Sequence, residues 1–260
     1  MKEGGFMQCG LSLDRPISCT FSSFRYFEKG ERHQERVFHE DVLVMVFDGA
    51  LRFCENGVPV EVNAGEYYIQ RRGMKHDGSV PCDKPSYYYI HFLGSFSDKG
   101  NILPLRGKVD FVELFPLFKK LDELFLKGAT YVEKMSVVYT VFAVLNKPAG
   151  VGGHSAVVAK VLSIVSADIK KPFSLTEVAT ACGYNKNHII NIFKKETGKT
   201  TYAYITDMRI EMAKNLLLNS DASLSAISNE CGFGEYVNLY TAFIKSVGCA
   251  PLAWKKENMK

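Results

Sequence analysis

Ser174-Leu175-Thr176-Glu177-Val178-Ala179 returns 49 residues later as Ser223-Leu224-Ser225-Ala226-Ile227-Ser228, and Cys182-Gly183-Tyr184 returns at the same offset as Cys231-Gly232-Phe233. Ile189, Phe193 and Gly198 then recur at an offset of 50 as Leu239, Phe243 and Gly248. Apolar, small and glycine positions that match over so long a stretch mark a duplicated unit. Each copy has the grammar of helix, tight turn and second helix. Ser174 and Ser223 are helix-capping residues, and the Leu and Val or Ile behind them form an inner face. Ala179 and Ser228 are small enough to let the second helix cross closely. Gly183 and Gly232 stand where the turn needs positive φ.

The second helices carry apolar stripes, Ile189-Ile192-Phe193 in one copy and Leu239-Ala242-Phe243 in the other. Their opposite faces are left free for nucleic acid. Between the copies, residues 201–218 predict a longer helix with Tyr202, Ile205, Met208, Met212 and Leu216 inward. At 1.5 Å per residue it spans roughly 25 Å. A rigid spacer of that order suits two helices seated in major-groove segments about 34 Å apart.

Upstream the character differs. Val42-Leu43-Val44-Met45-Val46-Phe47 reads as a buried strand closed by an Asp48-Gly49 hairpin, followed by Leu51-Arg52-Phe53 and a second turn at Glu55-Asn56-Gly57. Alternation over 58–62, a turn at Ala64-Gly65, and the runs Tyr67-Tyr68-Ile69 and Tyr87-Tyr88-Tyr89-Ile90-His91-Phe92 complete a set of short strands. Their spacing predicts an antiparallel barrel or sandwich. Residues 111–126 and 131–145 then repeat apolar residues every three or four positions, the mark of two amphipathic helices. They either dimerise or cover an open side of the barrel. Pro148-Ala149-Gly150-Val151-Gly152-Gly153 has linker composition. The fold class expected is α+β with two domains. Residues 1–105 form a β domain, 106–147 a helical dimerisation or packing segment, 148–156 a linker, and 157–260 an all-α domain of two helix-turn-helix units joined by a long helix.

Charge follows the same division. The 19 Lys and Arg of residues 1–154 are matched by 19 Asp and Glu, whereas residues 155–260 hold 13 against 9, so the net charge of +4 belongs to the C-terminal part. A mildly basic domain behind a neutral one suits nucleic-acid binding. The seven cysteines, none in a CxxC pair, speak against a disulfide framework or zinc ribbon. With no run of about 18 apolar residues and no signal-peptide core at the start, the chain is expected in the cytoplasm, nucleoid-associated, with no membrane partner.

Residues of about 158–257 resemble the DNA-binding domain of the AraC/XylS family of bacterial regulators. The resemblance rests on Leu175, Ala179, Gly183, Ile189, Phe193-Lys194-Lys195, Gly198, Arg209, Ala213, Leu216-Leu217, Ile227, Gly232-Phe233, Phe243, Gly248-Cys249-Ala250-Pro251 and Trp254-Lys255. It implies that Asn187, Ile190 and Asn191, with Tyr236, Val237 and Thr241 and the adjacent Tyr240, face bases. Where the family usually opens the first recognition helix with serine, this chain has Asn185, and the arginine it commonly presents to DNA is replaced by Asn191 and Thr241. Base preference therefore has to be read from this chain. Asn pairs bidentately with adenine, and Ile and Val suit a thymine methyl, which predicts A·T-leaning half-sites. Lys186, Lys194, Lys195 and Lys245 are placed for phosphates.

The stretch 38–92 resembles the cupin-like sensor barrel of many members, through Asp48-Gly49, Gly65-Glu66, Gly73 with His76, and Tyr89-Ile90-His91-Phe92. Metal-binding cupins gather a close His pair, a carboxylate and a further His. Here His33 and His39 lie six apart, so neither metal nor cofactor is expected. Candidate ligand-binding residues are Tyr87, Tyr89 and His91 from one strand face, with Arg71, Arg72 and His76. The function expected is a sequence-specific transcription regulator, an activator with a small-molecule effector. Its expected partners are double-stranded promoter DNA, a second copy as homodimer, and RNA polymerase. No GxSxG, HExxH or P-loop supports an enzyme. The zinc-cysteine methyltransferases that share this helix-turn-helix type need a cysteine cluster, for which Cys9, Cys19, Cys54 and Cys82 are too scattered. The alternatives are a cupin-type metal enzyme fused to a DNA-binding tail, or a DNA-binding protein whose front domain only dimerises.

Overall fold

Val42, Val44 and Val46 alternate with Leu43, Met45 and Phe47 along one strand, and all six are buried, so the sheet is covered on both faces. The structure, a computed structural model, describes residues 9–27, 30–109, 111–147, 156–167 and 169–259. Its strands are β1 (Gly10–Ser12), β2 (Ser18–Tyr26), β3 (Arg36–Val37), β4 (Asp41–Glu55), β5 (Val58–Asn63), β6 (Glu66–Gln70), β7 (Lys75–Asp77), β8 (Asp83–Leu93), β9 (Phe96–Ser97), β10 (Ile102–Leu103) and β11 (Arg106–Lys108). A small sheet runs β10-β1-β9, and the other eight strands form one antiparallel sheet. The first half of β4 lies between β6 and β8, with Val44 opposite both Tyr68 and Tyr89.

The sequence expectation of a hairpin at Asp48-Gly49 is corrected, because β4 runs straight through it. Gly49 has φ +67°, and the register against β8 slips on both sides of Asp48. The pair is a β-bulge that bends a long strand. A Cβ at position 49 would stand 2.2 Å from the Asp83 carbonyl oxygen. Gly49→Ala is therefore expected to cost about 2 kcal/mol or more, read as a lower Tm in thermal unfolding. An unchanged Tm would show that the bulge is not held closed. The turn at Asn56-Gly57 is the hairpin expected, with both residues at positive φ and Glu55 opposite Val58.

The barrel is also corrected. Among the described residues β2 pairs with β8 and β11 with β6, and no pairing joins the two edges, so the sheet stays open. Helices α1 (Phe111–Leu126), α2 (Tyr131–Leu145) and α6 (Thr201–Asn219) pack on β2 in place of a closing strand. One sheet face, with Phe24, Leu43, Met45, Tyr88, Ile90 and Phe92, joins these helices in a core that continues into the C-terminal helices. Tyr88 stacks on Phe118 at 4.3 Å. The other face, with Val42, Val44, Tyr87 and Tyr89, forms a separate cluster inside the curled sheet.

The C-terminal part is α3 (Ala156–Ala167), α4 (Leu175–Cys182), α5 (Lys186–Thr197), α6, α7 (Leu224–Glu230), α8 (Tyr236–Val247) and α9 (Pro251–Asn258). Apart from Ala156, the expected linker at 148–156 lies outside the described residues. On α6, Ile205, Met208, Met212 and Leu216 are buried, but Tyr202 is 56% exposed and Tyr204 takes the inward place. The ring of Tyr204 meets Phe193 at 5.6 Å and Phe115 at 5.9 Å, so the helix is turned by what Tyr204 fills.

Front and back halves touch through β2, α1, α6 and α7. The Asn215 amide donates to the Phe24 carbonyl, the Tyr26 hydroxyl donates to Glu230 at 2.6 Å, and the Tyr204 hydroxyl donates to the Phe111 carbonyl at 3.1 Å. Nearby, the Tyr88 hydroxyl lies 2.7 Å from Asp122 Oδ1. Burial, opposed by that hydrogen bond and aided by Glu211, pushes the Asp122 carboxyl up to about 8. The folded protein thus holds a proton that the unfolded chain releases near 3.8. The corresponding stability is full below that value and is lost as pH rises towards 8. Asp122→Asn is expected to flatten the decline of Tm over this range and to raise Tm at pH 8. Parallel pH profiles for the two proteins would contradict it.

Candidate nucleic-acid interface and ligand cavity

In the first unit, Ser174 Oγ accepts from the Glu177 amide at 3.3 Å, satisfying one free N–H at the start of α4. Gly183 closes α4 at φ +68°. Asn185 Oδ1 accepts from the His188 amide at 2.8 Å and opens α5. In the second unit, Ser223 caps α7 by accepting from the Ala226 amide, and α8 opens at Glu235 without a side-chain cap. Gly232 (φ +74°) is required for a second reason, since a Cβ there would come within 2.8 Å of the Lys170 carbonyl oxygen. Ile189 and Phe193 on α5, and Leu239 and Phe243 on α8, are wholly buried.

The opposite faces are open. Lys186, Asn187, Asn191, Lys194 and Lys195 on α5 are exposed, as are Val237, Tyr240, Thr241 and Lys245 on α8. Ile190 and Tyr236 are half-buried, with the Tyr236 ring 5.8 Å from Tyr240. Among the described residues no carboxylate pairs with Lys186, Lys194, Lys195 or Lys245. Two exposed side chains beside this face escaped sequence reasoning, Tyr184 and His188, whose rings stack at 4.7 Å at the start of α5. The signal was present, because residue 188 lies one turn before Asn191 on the same helix.

Of the six candidate ligand residues, the structure brings three together. Tyr87, Tyr89 and His91 line a cavity of about 260 Å³ on the inner face of the sheet, with Val42, Val44 and Gln70. Arg71, Arg72 and His76 lie outside that lining. Arg72 pairs with buried Asp41 at 3.0 Å and donates to the Gly94 carbonyl. His76 meets Glu55 at 3.2 Å, and the same carboxylate lies 3.5 Å from the Arg71 amide. Missed by sequence reasoning were Arg25, Arg32, His33 and Arg36. Arg25 belongs to β2, whose long polar run hides its alternation. The others belong to residues 31–36, where no period shows. Burial, with Arg36 beside it, pushes the His33 imidazole down to about 4, so it is neutral at pH 7.

Strand β2 has two faces with different neighbours. Ser23 and Arg25 lie opposite Tyr89 and Tyr87 on the cavity side. The Phe24 ring packs on the other side against Phe115 and Phe118 of α1, and the Tyr26 hydroxyl reaches Glu230 of α7. One strand therefore separates the cavity from the helix-turn-helix half.

A helix-turn-helix domain family matches residues 178–257. The uncharacterized HTH-type transcriptional regulator YisR of Bacillus subtilis (strain 168) is 23% identical over 259 residues, spanning 88% of this chain and 90% of YisR. The HTH-type transcriptional activator RhaR of Escherichia coli (strain K12) is 28% identical over 99 residues, spanning 38% of this chain and 35% of RhaR. The solved structure of ToxT from Vibrio cholerae O395 aligns with a TM-score of 0.38 and 12% identity, covering 92% of this chain and 97% of that one. Among the described residues no helix is long and apolar enough to cross a membrane. The chain thus carries an AraC-type DNA-binding helix-turn-helix domain over residues 178–257, and the relatives it matches are HTH-type transcriptional regulators.

Proposed function

We propose that this chain activates transcription by seating α5 and α8 in successive major-groove segments of promoter DNA, under control of a small molecule in the β-domain cavity. The observation that carries the reading is the paired second helices, each fully buried along one stripe and open along the other. Asn187, Ile190, Asn191, Tyr236, Val237, Tyr240 and Thr241 face bases in this reading, and the four lysines face phosphates. The effector acts through β2, since a shift at Arg25 on one face moves Phe24 and Tyr26 on the other. The regulator works in the cytoplasm as a homodimer through the helical segment 106–147, contacts RNA polymerase and performs no catalysis. The domain limits follow the same reading, with residues 1–105 sensing and 157–260 binding DNA.

Selection of bound duplexes from a random pool tests it. The expected product is a pair of A·T-leaning half-sites about one helical turn apart, centre to centre. G-rich consensus sites, or a single half-site, would overturn the assignment of the two helices.

A further inference from the structure

The cavity beneath Tyr87 and Tyr89 carries an excess of positive charge. Of the residues that line it, Arg25, Arg32 and Arg36 bring guanidinium groups and Glu31 the carboxylate. Glu31 pairs with Arg25 at 3.0 Å, and Arg32 donates to the Gly78 and Ser79 carbonyls at the rim. The lining His33 is kept neutral by burial, and His91 is turned to Glu40 at 3.0 Å. Arg36 remains. Its guanidinium lies 4.4 Å over the Phe38 ring, its Nε is buried without a hydrogen-bond partner, and among the described residues no carboxylate pairs with it. The hydroxyls of Tyr87 and Tyr89 likewise lack partners among the described residues. The buried Nε of Arg36 is costly unless something accepts its proton, and the two hydroxyls are free to donate into the same cavity.

Resting on the reading of this cavity as the effector site, we infer that it takes a small organic anion, a carboxylate or phosphate ester of about hexose size. Arg36 grips the anionic group and the two tyrosines donate beside it. A planar guanidinium matches a carboxylate or phosphate through paired N–H donors. Val42 and Val44 on the floor leave the ligand's body an apolar wall. A neutral sugar would leave the Arg36 charge unanswered.

The test uses the full chain with glucuronate, glucose 6-phosphate, inorganic phosphate and uncharged glucose, followed by calorimetry and thermal shift. At least one of the three anions is expected to bind and raise Tm, with glucose weaker by tenfold or more. The glucuronate and phosphate arms tell carboxylate from phosphate. Arg36→Met is expected to weaken the bound anion about 10- to 100-fold, and Arg36→Lys less. Without ligand, Arg36→Met should not lower Tm, because it removes an unpaired charge; a marked fall would make Arg36 structural and overturn the inference. If glucose binds as well as the anions and Arg36→Met leaves it unaffected, the anion assignment falls and the effector reading stands. If none of the four binds in a way that depends on Arg36, the anion assignment falls as well. The effector reading then falls separately if Tyr89→Ala leaves a promoter fusion unchanged under every growth condition.

Discussion

Phe193→Ala is expected to remove about 3–5 kcal/mol of stability and to lower Tm by about 6–20 °C. Phe193 is wholly buried on the inner stripe of α5, edge-on to Tyr204 at 5.6 Å and 85°. Tyr204 continues the contact to Phe115 of α1 and bonds the Phe111 carbonyl. The vacated volume therefore opens where α5, α6 and the front domain meet, and aromatic neighbours locked by packing on three sides cannot collapse into it. DNA binding should vanish with the fold of this unit. The equivalent Phe243→Ala, which strips the ring that packs on Trp254 at 6.0 Å, should behave alike. Asn191→Ala, on the exposed side of the same helix, should stay within about 0.5 kcal/mol of the parent. Thermal unfolding of the three variants decides it. A mild Phe193→Ala, close to Asn191→Ala, would mean that α5 does not sit as described.

This contrast marks what could be read from sequence. The repeat was legible because each helix-turn-helix depends on local chemistry. A serine or asparagine oxygen answers free amides at the helix start, a glycine takes the left-handed turn, and an apolar stripe recurs at the helical period. The alternation of β8 was legible for the same reason, and it put Tyr87, Tyr89 and His91 on one face. Features decided by distant partners were not. Asp48-Gly49 has hairpin composition, and only its pairing with residues near Asp83 makes it a bulge. Whether the sheet closes depends on helices packing against β2, and nothing in β2 announces them. Tyr202 and Tyr204 are the same residue type two positions apart, and the front domain chooses between them through Phe111 and Phe115. The strands β1, β9 and β10 hold two or three residues each, too few for any period. Arg36 became visible as an unanswered charge only when the surrounding carboxylates were seen to pair elsewhere.

Replacing Lys186, Lys194, Lys195 and Lys245 together by Ala is expected to reduce the salt dependence of DNA binding rather than its sequence preference. Each lysine that neutralises one phosphate releases condensed counterion, adding about 0.9 to the slope of log K against log salt. If all four do so, the slope falls by roughly 3.6, and affinity near 0.1 M salt falls by three to four decades. Exposure of the four side chains and the lack of carboxylate partners argue that stability will hardly change, so a Tm within a few degrees of the parent separates lost contact from lost fold. The double variant Asn187→Ala with Asn191→Ala should do the reverse, keeping the slope while narrowing the gap between chosen and random duplexes by about 1–3 kcal/mol per lost base contact. Binding measured at several salt concentrations on both kinds of duplex yields both numbers. A quadruple variant whose slope matches the parent's would place these lysines away from the phosphates and would require α5 and α8 to meet DNA by another face.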